Sequence, residues 1–312
     1  MFFPVAGIEV DPVVLIVVAF VISFFASVGG LSGAFLLLPF QMSVLGFTTP
    51  SVSSTNQLFN IVAIPGGVYR YFKEGRMVWP LTLAVIIGTL PGVFIGAIVR
   101  IQFLPDPKNF KFFAGLVLIY IGAKLVKDLF SAKSANGNQF KAEDDFYKSI
   151  KELKNTNGMQ APKVTAQKFS FFHVSYEFQG HTFVVNTIGI ITLSFVVGII
   201  GGIYGIGGGA IIAPLLITFF GLPIFTIAGA TLMGTFVTSI AGVVFYQLIA
   251  PYYPNQVIAP DWGLGILLGL GGFAGIYFGA RFQKFFPAKI IKWILIGCIL
   301  LPTIYYIWQF IS

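Results

Sequence analysis

The 312-residue sequence holds one cysteine, two histidines and little charge. Cys298 lies in an apolar run, which excludes an intrachain disulfide framework or a cysteine metal site. Charged residues make up 10% of the chain, against about 25% in a soluble domain. With 56% hydrophobic residues and a mean hydropathy of +0.89, this is the composition of a membrane protein. No Asp or Glu stands well inside an apolar segment; Glu74, Asp106 and Asp261 all lie at segment ends. A proton relay built on a buried carboxylate is thereby excluded. Uniport, exchange, sodium coupling through backbone carbonyls and a substrate carrying its own proton remain open. His173 and His181 have no carboxylate or cysteine at metal spacing and read as surface residues. P-loop, His-Glu-x-x-His and Gly-x-Ser-x-Gly patterns are all missing, which argues against an ATP-driven pump or an intramembrane hydrolase. No catalytic residue, metal or cofactor is expected. The net charge of +8 invites a nucleic-acid reading. Lys and Arg cluster beside the ends of apolar runs instead, as membrane orientation requires, so no nucleic-acid partner is expected. The amino terminus lacks a basic region and carries Glu9 and Asp11, making it a poor signal peptide.

What is present is apolar length, punctuated by glycine. Ten apolar segments run over about 12–28, 31–47, 51–71, 78–101, 109–130, 184–203, 206–222, 224–249, 261–281 and 288–311. The first two of each half are short for a square crossing, which takes ~20 residues with ~17 as the lower limit. Thin spans and re-entrant hairpins both fit them. They are joined by the breaks Gly29-Gly30-Leu31-Ser32-Gly33 and Gly205-Ile206-Gly207-Gly208-Gly209. Glycine costs a helix interior about 1 kcal/mol relative to alanine, so each cluster stops a helix and restarts it.

The two halves repeat. At an offset of 175, Gly30, Gly33, Pro39, Gly46, Gly67 and Tyr71 fall on Gly205, Gly208, Pro214, Gly221, Gly242 and Tyr246. Beyond residue 71 the offset becomes 183, matching Gly88, Gly92 and Gly96 with Gly271, Gly275 and Gly279. The four-residue spacing of these last glycines lines one helix face and reads as close helix packing. Lys73, Arg76, Lys127, Lys133, Arg281, Lys284, Lys289 and Lys292 mark cytoplasmic turns, whereas the loop 250–261 carries no Lys or Arg and faces outward. Each half therefore crosses an odd number of times, and the repeats are inverted, with both termini outside. Arg100, Lys108 and Lys111 are the exception to this charge pattern. Arg70, Arg100 and Lys124 are expected to snorkel to the interface.

The expected fold is an all-α polytopic membrane protein of two inverted-topology repeats, about five apolar segments each, with broken or re-entrant helices at the centre. Residues 1–130 form the first repeat, 131–183 a small α+β cytoplasmic insert and 184–312 the second repeat. In the insert, 142–154 predicts an amphipathic helix with Phe146, Ile150 and Leu153 on one side. Residues 168–185 predict a β-hairpin around Gln179-Gly180.

Paired broken helices are the sequence pointer to a secondary transporter's site. Ser32, Gly33, Gly207, Gly208 and Gly209 stand where helix amino termini present N–H groups and a positive dipole end to an anion. Asn56 and Asn60 share a helix face, with Gln57 and Ser53 nearby; their counterparts are Thr231 and Thr235. Such uncharged donors suit an oxyanion stripped of water, and they equally suit hydrogen bonding between helices.

At these residues the sequence resembles the TauE/SafE family of sulfite exporters and sulfonate permeases. The likeness rests on Gly205-Ile206-Gly207-Gly208-Gly209 running into Pro214 and on Gly30-Leu31-Ser32-Gly33 running into Pro39. Ala230-Thr231 to Thr235 and Gly275-Ile276-Tyr277-Phe278-Gly279-Ala280-Arg281 extend it. It covers nearly the whole chain except the insert, which is long for the family. Ser32 and Ala34 replace two glycines of the second half. The resemblance implies transport of sulfite, sulfonate or a related organosulfur anion across a prokaryotic cytoplasmic membrane, in a direction left open. Expected partners are the anionic substrate and the lipid bilayer, with room for a coupling ion and a homodimer. An anion channel on the same scaffold and a membrane scaffold that recruits a partner through the insert are the alternatives.

Overall fold

The computed structural model describes residues 1–130, 137–153, 163–287, 289–291, 293–294, 296–297, 300 and 304. The last apolar segment, 288–311, is thus described only in part. Ten α-helices occur among the described residues. Before the insert they are α1 (Pro12–Val28), α2 (Ala34–Ser43), α3 (Ser51–Lys73), α4 (Trp79–Gln102) and α5 (Pro107–Phe130). The insert contributes α6 (Gly137–Leu153). After it come α7 (Thr187–Tyr204), α8 (Gly209–Phe220), α9 (Ile224–Ile249) and α10 (Trp262–Gln283). Among the described residues four helices are long and apolar enough to cross a membrane: α4, α7, α9 with its 3-10 extension to Tyr252, and α10. At 1.5 Å per residue, α2 and α8 reach only about 15 and 18 Å, short of a hydrocarbon core of ~30 Å. Neither crosses alone.

Helix boundaries follow local chemistry. Asp11 caps α1 by accepting from the Val13 N–H at 2.7 Å, Asn186 caps α7 through the Gly189 N–H at 2.8 Å, and Asp261 caps α10 through the Leu264 N–H at 3.0 Å. Gly205 and Gly221 end α7 and α8 with φ of 75° and 60°, left-handed values that favour glycine. Gly30 and Gly46 hold the corresponding values of 76° and 73° in the first half.

Two glycine seams build the bundle. The face Gly88, Gly92, Gly96 of α4 lies on α7, and the face Gly271, Gly275, Gly279 of α10 lies on α1. A Cβ on Gly92 would stand 2.5 Å from the Phe195 carbonyl oxygen, and one on Gly202 2.5 Å from that of Val93. Both seams are backbone against backbone, the packing role the four-residue spacing predicts. Helix α3 packs on α10, α9 packs on α4, and α3 and α9 meet in the middle.

Two small sheets accompany the helices. Strands β1 (Phe2–Phe3) and β2 (Ile8–Glu9) pair antiparallel at the amino terminus, where Asp261 accepts from the N–H groups of Val5 and Ala6 at 3.2 and 3.1 Å. The predicted hairpin is β4 (His173–Phe178) and β5 (His181–Asn186), turning at Gln179 and Gly180 with φ of 54° and 71°. Strand β3 (Thr165–Phe169) adds a third member on the β4 side. Helix α6 begins earlier than the predicted 142 and buries Phe146 and Ile150; the Leu153 side chain lies outside the described residues.

The sheet and α6 sit on the helix ends. Gln167 accepts from the Trp79 N–H at 2.9 Å and donates to the Met77 carbonyl at 2.9 Å. Glu143 accepts from the Ile224 N–H at 3.0 Å, the Phe146 ring lies 4.5 Å from that of Phe225, and the Tyr176 hydroxyl is 2.9 Å from that of Thr226. Full burial pushes the Tyr176 phenol above its ordinary pKa, so it stays a neutral hydrogen-bonding group. His173 is exposed, and His181 stands 3.3 Å from Asp145. Among the described residues no group of three His, Cys, Asp or Glu could hold a metal.

Candidate functional site

The site forms where the two helix breaks approach each other across α3 and α9. Ser32, the residue before the Gly33 cap of α2, accepts from the Ala34 N–H at 3.2 Å, and its hydroxyl donates to Asn60 Oδ1. Asn60 Nδ2 donates to the Ile206 carbonyl at 2.9 Å and to Ser239 Oγ at 3.2 Å. One carboxamide of α3 thus links the first break, the second break and α9. Thr231 of α9 donates to its own helix at Ala228 (3.1 Å) and towards the Gly30 carbonyl of the first break (3.4 Å). Thr235 donates to the Thr231 carbonyl at 2.9 Å. Asn56 donates to the Ala34 carbonyl at 2.9 Å and accepts from Gln41 Nε2 at 3.2 Å.

The glycines of the breaks are set by close approach. Gly30 lies on Ala228 and Gly205 on Ser53, each with positive φ and too little room for a side chain. A Cβ on Gly207 would stand 2.9 Å from Ser239 Oγ, and Gly209 presses on the backbone of Thr231. Gly33 faces Ser23, and Gly208 faces Thr89 and Gly198. Gly33 and Gly208 are the cap residues of α2 and α8, whose first N–H groups have no partner within the helix.

All six predicted side chains (Ser32, Asn56, Gln57, Asn60, Thr231 and Thr235) are at most 1% exposed. Five of them have hydrogen bonds. Gln57 does not: neither its Oε1 nor its Nε2 has a partner among the described residues, nor does the Ser53 hydroxyl one turn earlier. Its amide rests against Gly242 of α9. An unpaired buried amide costs about 1–3 kcal/mol, so the Gln57 and Ser53 side chains leave hydrogen-bonding capacity unused at this crossing. None of the ten predicted site residues can ionise, so the site offers neutral donors and helix dipoles.

Sequence reasoning passed over Gln41, fully buried against Asn56, because a single glutamine in an apolar run has no periodic partner. It also misplaced Arg100. That residue is 0% exposed rather than snorkelling, because α4 ends under Leu104 and Phe110, which cover it from water. Arg70 is part-buried and binds Glu74 at 2.7 Å; the Lys124 side chain lies outside the described residues. At the α3–α4 turn Glu74 also meets Arg76 at 2.6 Å and Lys284 at 3.1 Å. Burial alone would raise the Glu74 pKa, but Arg76, Lys284 and Arg70 outweigh it and hold the carboxyl below its ordinary value. Arg76, itself 1% exposed, donates to Gln283 Oε1 at 3.0 Å, as does the Tyr71 hydroxyl at 3.0 Å.

A helical bundle with membrane-length apolar helices, two of its shorter helices broken at glycine, and a buried uncharged polar crossing defines a multi-pass membrane transport protein. The chain belongs to the family described as "Sulfite exporter TauE/SafE", whose model matches residues 15–306. That family is one of membrane transporters and not of enzymes. Two proteins of Bacillus subtilis (strain 168) are similar to it. "Probable membrane transporter protein YunE" is 25% identical over 299 residues, 92% of this chain and 96% of that protein. "Probable membrane transporter protein YdhB" is 34% identical over 115 residues, which are 37% of this chain and 44% of that protein, less than half its length. No solved structure matches.

Proposed function

We propose that the chain is a secondary transporter of a small sulfur-containing anion such as sulfite or a sulfonate, bound at the crossing of α3, α9 and the two breaks. The family description names sulfite, and the chemistry of the crossing suits an oxyanion. The observation that carries the reading is the Gln57 amide, fully buried where α3 meets α9 with both polar atoms unpaired among the described residues. Ser32, Asn56, Asn60, Thr231 and Thr235 line the same crossing, and the N–H groups of Gly33, Gly207, Gly208 and Gly209 add the positive ends of α2 and α8. A desolvated anion gains from such fixed donors without any titrating group, which leaves coupling to an ion, to exchange or to the substrate's own proton.

Two inverted repeats, 1–130 and 184–312, joined by an insert at 131–183, account for the packing. Helices α1 on α10 and α4 on α7 exchange under the sequence offset, as do α3 on α10 and α9 on α4. Gly30 on Ala228 and Gly205 on Ser53 are related by the same offset of 175. In this reading the insert is cytoplasmic and both termini lie outside, with room left for a homodimer. Uptake of radiolabelled sulfite, taurine and chloride into proteoliposomes tests the function. Saturable, counterflow-competent sulfite or taurine flux supports it. Linear, non-saturating flux of all three would make the protein an anion channel, and absence of flux with partner capture by the insert would make it a scaffold.

A further inference from the structure

At the end of α4 away from the Glu74 cluster stands a buried cation without a counter-charge among the described residues. Arg100 donates one Nη1 hydrogen to the Leu104 carbonyl, and its guanidinium lies 4.0 Å over the Phe110 ring. Its Nε and Nη2 have no partner among the described residues. Tyr246 of α9, also 0% exposed, stands within electrostatic reach, and its hydroxyl is likewise unpartnered. Ala97 and Ile101 of α4 and Ile258 pack with Tyr246 as hydrocarbon. Among the described residues no acidic group forms an ion pair with Arg100. Exposed Asp106 caps α5 through the N–H groups of Lys108 and Asn109, and Asp261 holds the N–H groups of Val5, Ala6 and Leu264. Asp128 lies about 30 Å away along α5 at 1.5 Å per residue.

The opposite end of the bundle shows what is missing. There Tyr71 and Arg76 both donate to Gln283 Oε1, and Glu74 neutralises Arg76. Tyr246 lies 175 residues after Tyr71, and Arg100 lies 183 residues before Gln283. Where α10 supplies an acceptor, α4 supplies five donors, so at this end the guanidinium Nε and Nη2 and the phenol hydroxyl are left without partners among the described residues. The carboxyl end of α4 offers roughly half a negative charge, which does not neutralise a whole buried cation. Ring contacts then lead from Phe110 to Tyr204 (6.1 Å) and on to Phe35 (6.0 Å), beside the two breaks.

We infer that Arg100 and Tyr246 form an oxyanion-binding site at this end of the bundle, a station separate from the central crossing. Guanidinium and phenol would grip two oxygens of one sulfite, sulfonate or phosphate group, as a bidentate arginine does. Its place on a transport path rests on the transporter reading; its existence does not. The test is thermal unfolding of the purified full chain at fixed ionic strength in sulfite, sulfate, methanesulfonate and chloride, for the wild type, Arg100→Gln, Arg100→Lys and Tyr246→Phe. The oxyanions, not chloride, should raise the wild-type Tm. Arg100→Gln should raise the half-saturating concentration tenfold or more, with Tyr246→Phe and Arg100→Lys intermediate. If Arg100→Gln does not fold, Tyr246→Phe decides alone. Native mass spectrometry separates the sources: a phospholipid retained by the wild type and lost in Arg100→Gln assigns the oxyanion to a lipid headgroup, whereas a solute-dependent shift assigns it to the free anion. Unchanged half-saturation and unchanged lipid retention in both Arg100→Gln and Tyr246→Phe would overturn the site. Sulfite flux in the same preparations keeps the two readings apart. Wild-type flux without any Arg100-dependent anion effect sinks this site alone, and an Arg100-dependent effect without flux sinks transport alone.

Discussion

Replacing Gln57 by leucine should stabilise the empty protein and weaken its hold on substrate. Leucine already stands at the related position of the other half, Leu232, against Gly67, as Gln57 stands against Gly242, so the volume is one this packing accepts. Gln57 is buried with two unpaired polar atoms, and removing an unsatisfied amide recovers about 1–3 kcal/mol. At about 2 °C per kcal/mol for a chain of this size, Tm should rise by roughly 2–6 °C. If the amide donates to the bound anion, the variant loses a hydrogen bond to a charge, about 1.5–3 kcal/mol, or roughly 10- to 150-fold in affinity. Differential scanning fluorimetry without ligand and sulfite binding by scintillation proximity give the two numbers on one preparation. The opposite signs are the point. A fall in Tm means that the amide serves packing, and a rise in Tm with unchanged sulfite affinity removes Gln57 from the site.

Asn60→Ala breaks contacts to Ser32, Ile206 and Ser239; at about 0.6 kcal/mol per hydrogen bond in a membrane it should cost roughly 2 kcal/mol, read as a lower Tm together with loss of sulfite flux. Gly92→Ala forces α4 away from the Phe195 carbonyl and should cost about 1–3 kcal/mol by overpacking, whereas Gly189→Ala, whose Cβ would meet the Phe220 ring at 3.4 Å and Asn186 Oδ1 at 3.7 Å, ordinary contacts, should stay within about 1 kcal/mol in the same melt. Glu74 has its folded pKa lowered from an ordinary value of about 4.5, so the native state binds fewer protons below that value. Its contribution is complete above about pH 5 and lost as pH falls through the folded pKa, and Glu74→Gln should flatten the Tm profile below pH 5. Tyr176→Phe removes the hydrogen bond to Thr226 and should lower Tm by about 1 kcal/mol equivalent, with protease cleavage of the insert showing whether it loosens there.

The glycine breaks were readable in the sequence because positive φ and backbone contact admit little else, as at Gly30 and Gly205. The glycine faces of α4 and α10 were readable as packing faces from their four-residue period, but their partners α7 and α1 were not. Asn56 and Asn60 announced themselves as polar residues on one face of an apolar helix. What stayed hidden depends on contacts distant in sequence. Arg100 looks like any arginine at a helix end, and only the fold over Leu104 and Phe110 shuts it from water. The Glu74–Arg76–Lys284 cluster joins residues some 200 positions apart. Strand β3 and the amino-terminal pair β1–β2 carry too few residues to show a period of two.

Each glycine seam ties a helix that precedes the insert to one that follows it. The two stretches of chain therefore cannot separate as blocks without tearing both seams. The natural rigid bodies are interleaved: α1, α10 and α3 on one side, α7, α4 and α9 on the other. Their one broad sliding plane is where α3 meets α9, the plane that holds Gln57 and Asn60, so a rocking step would open and close the polar crossing itself.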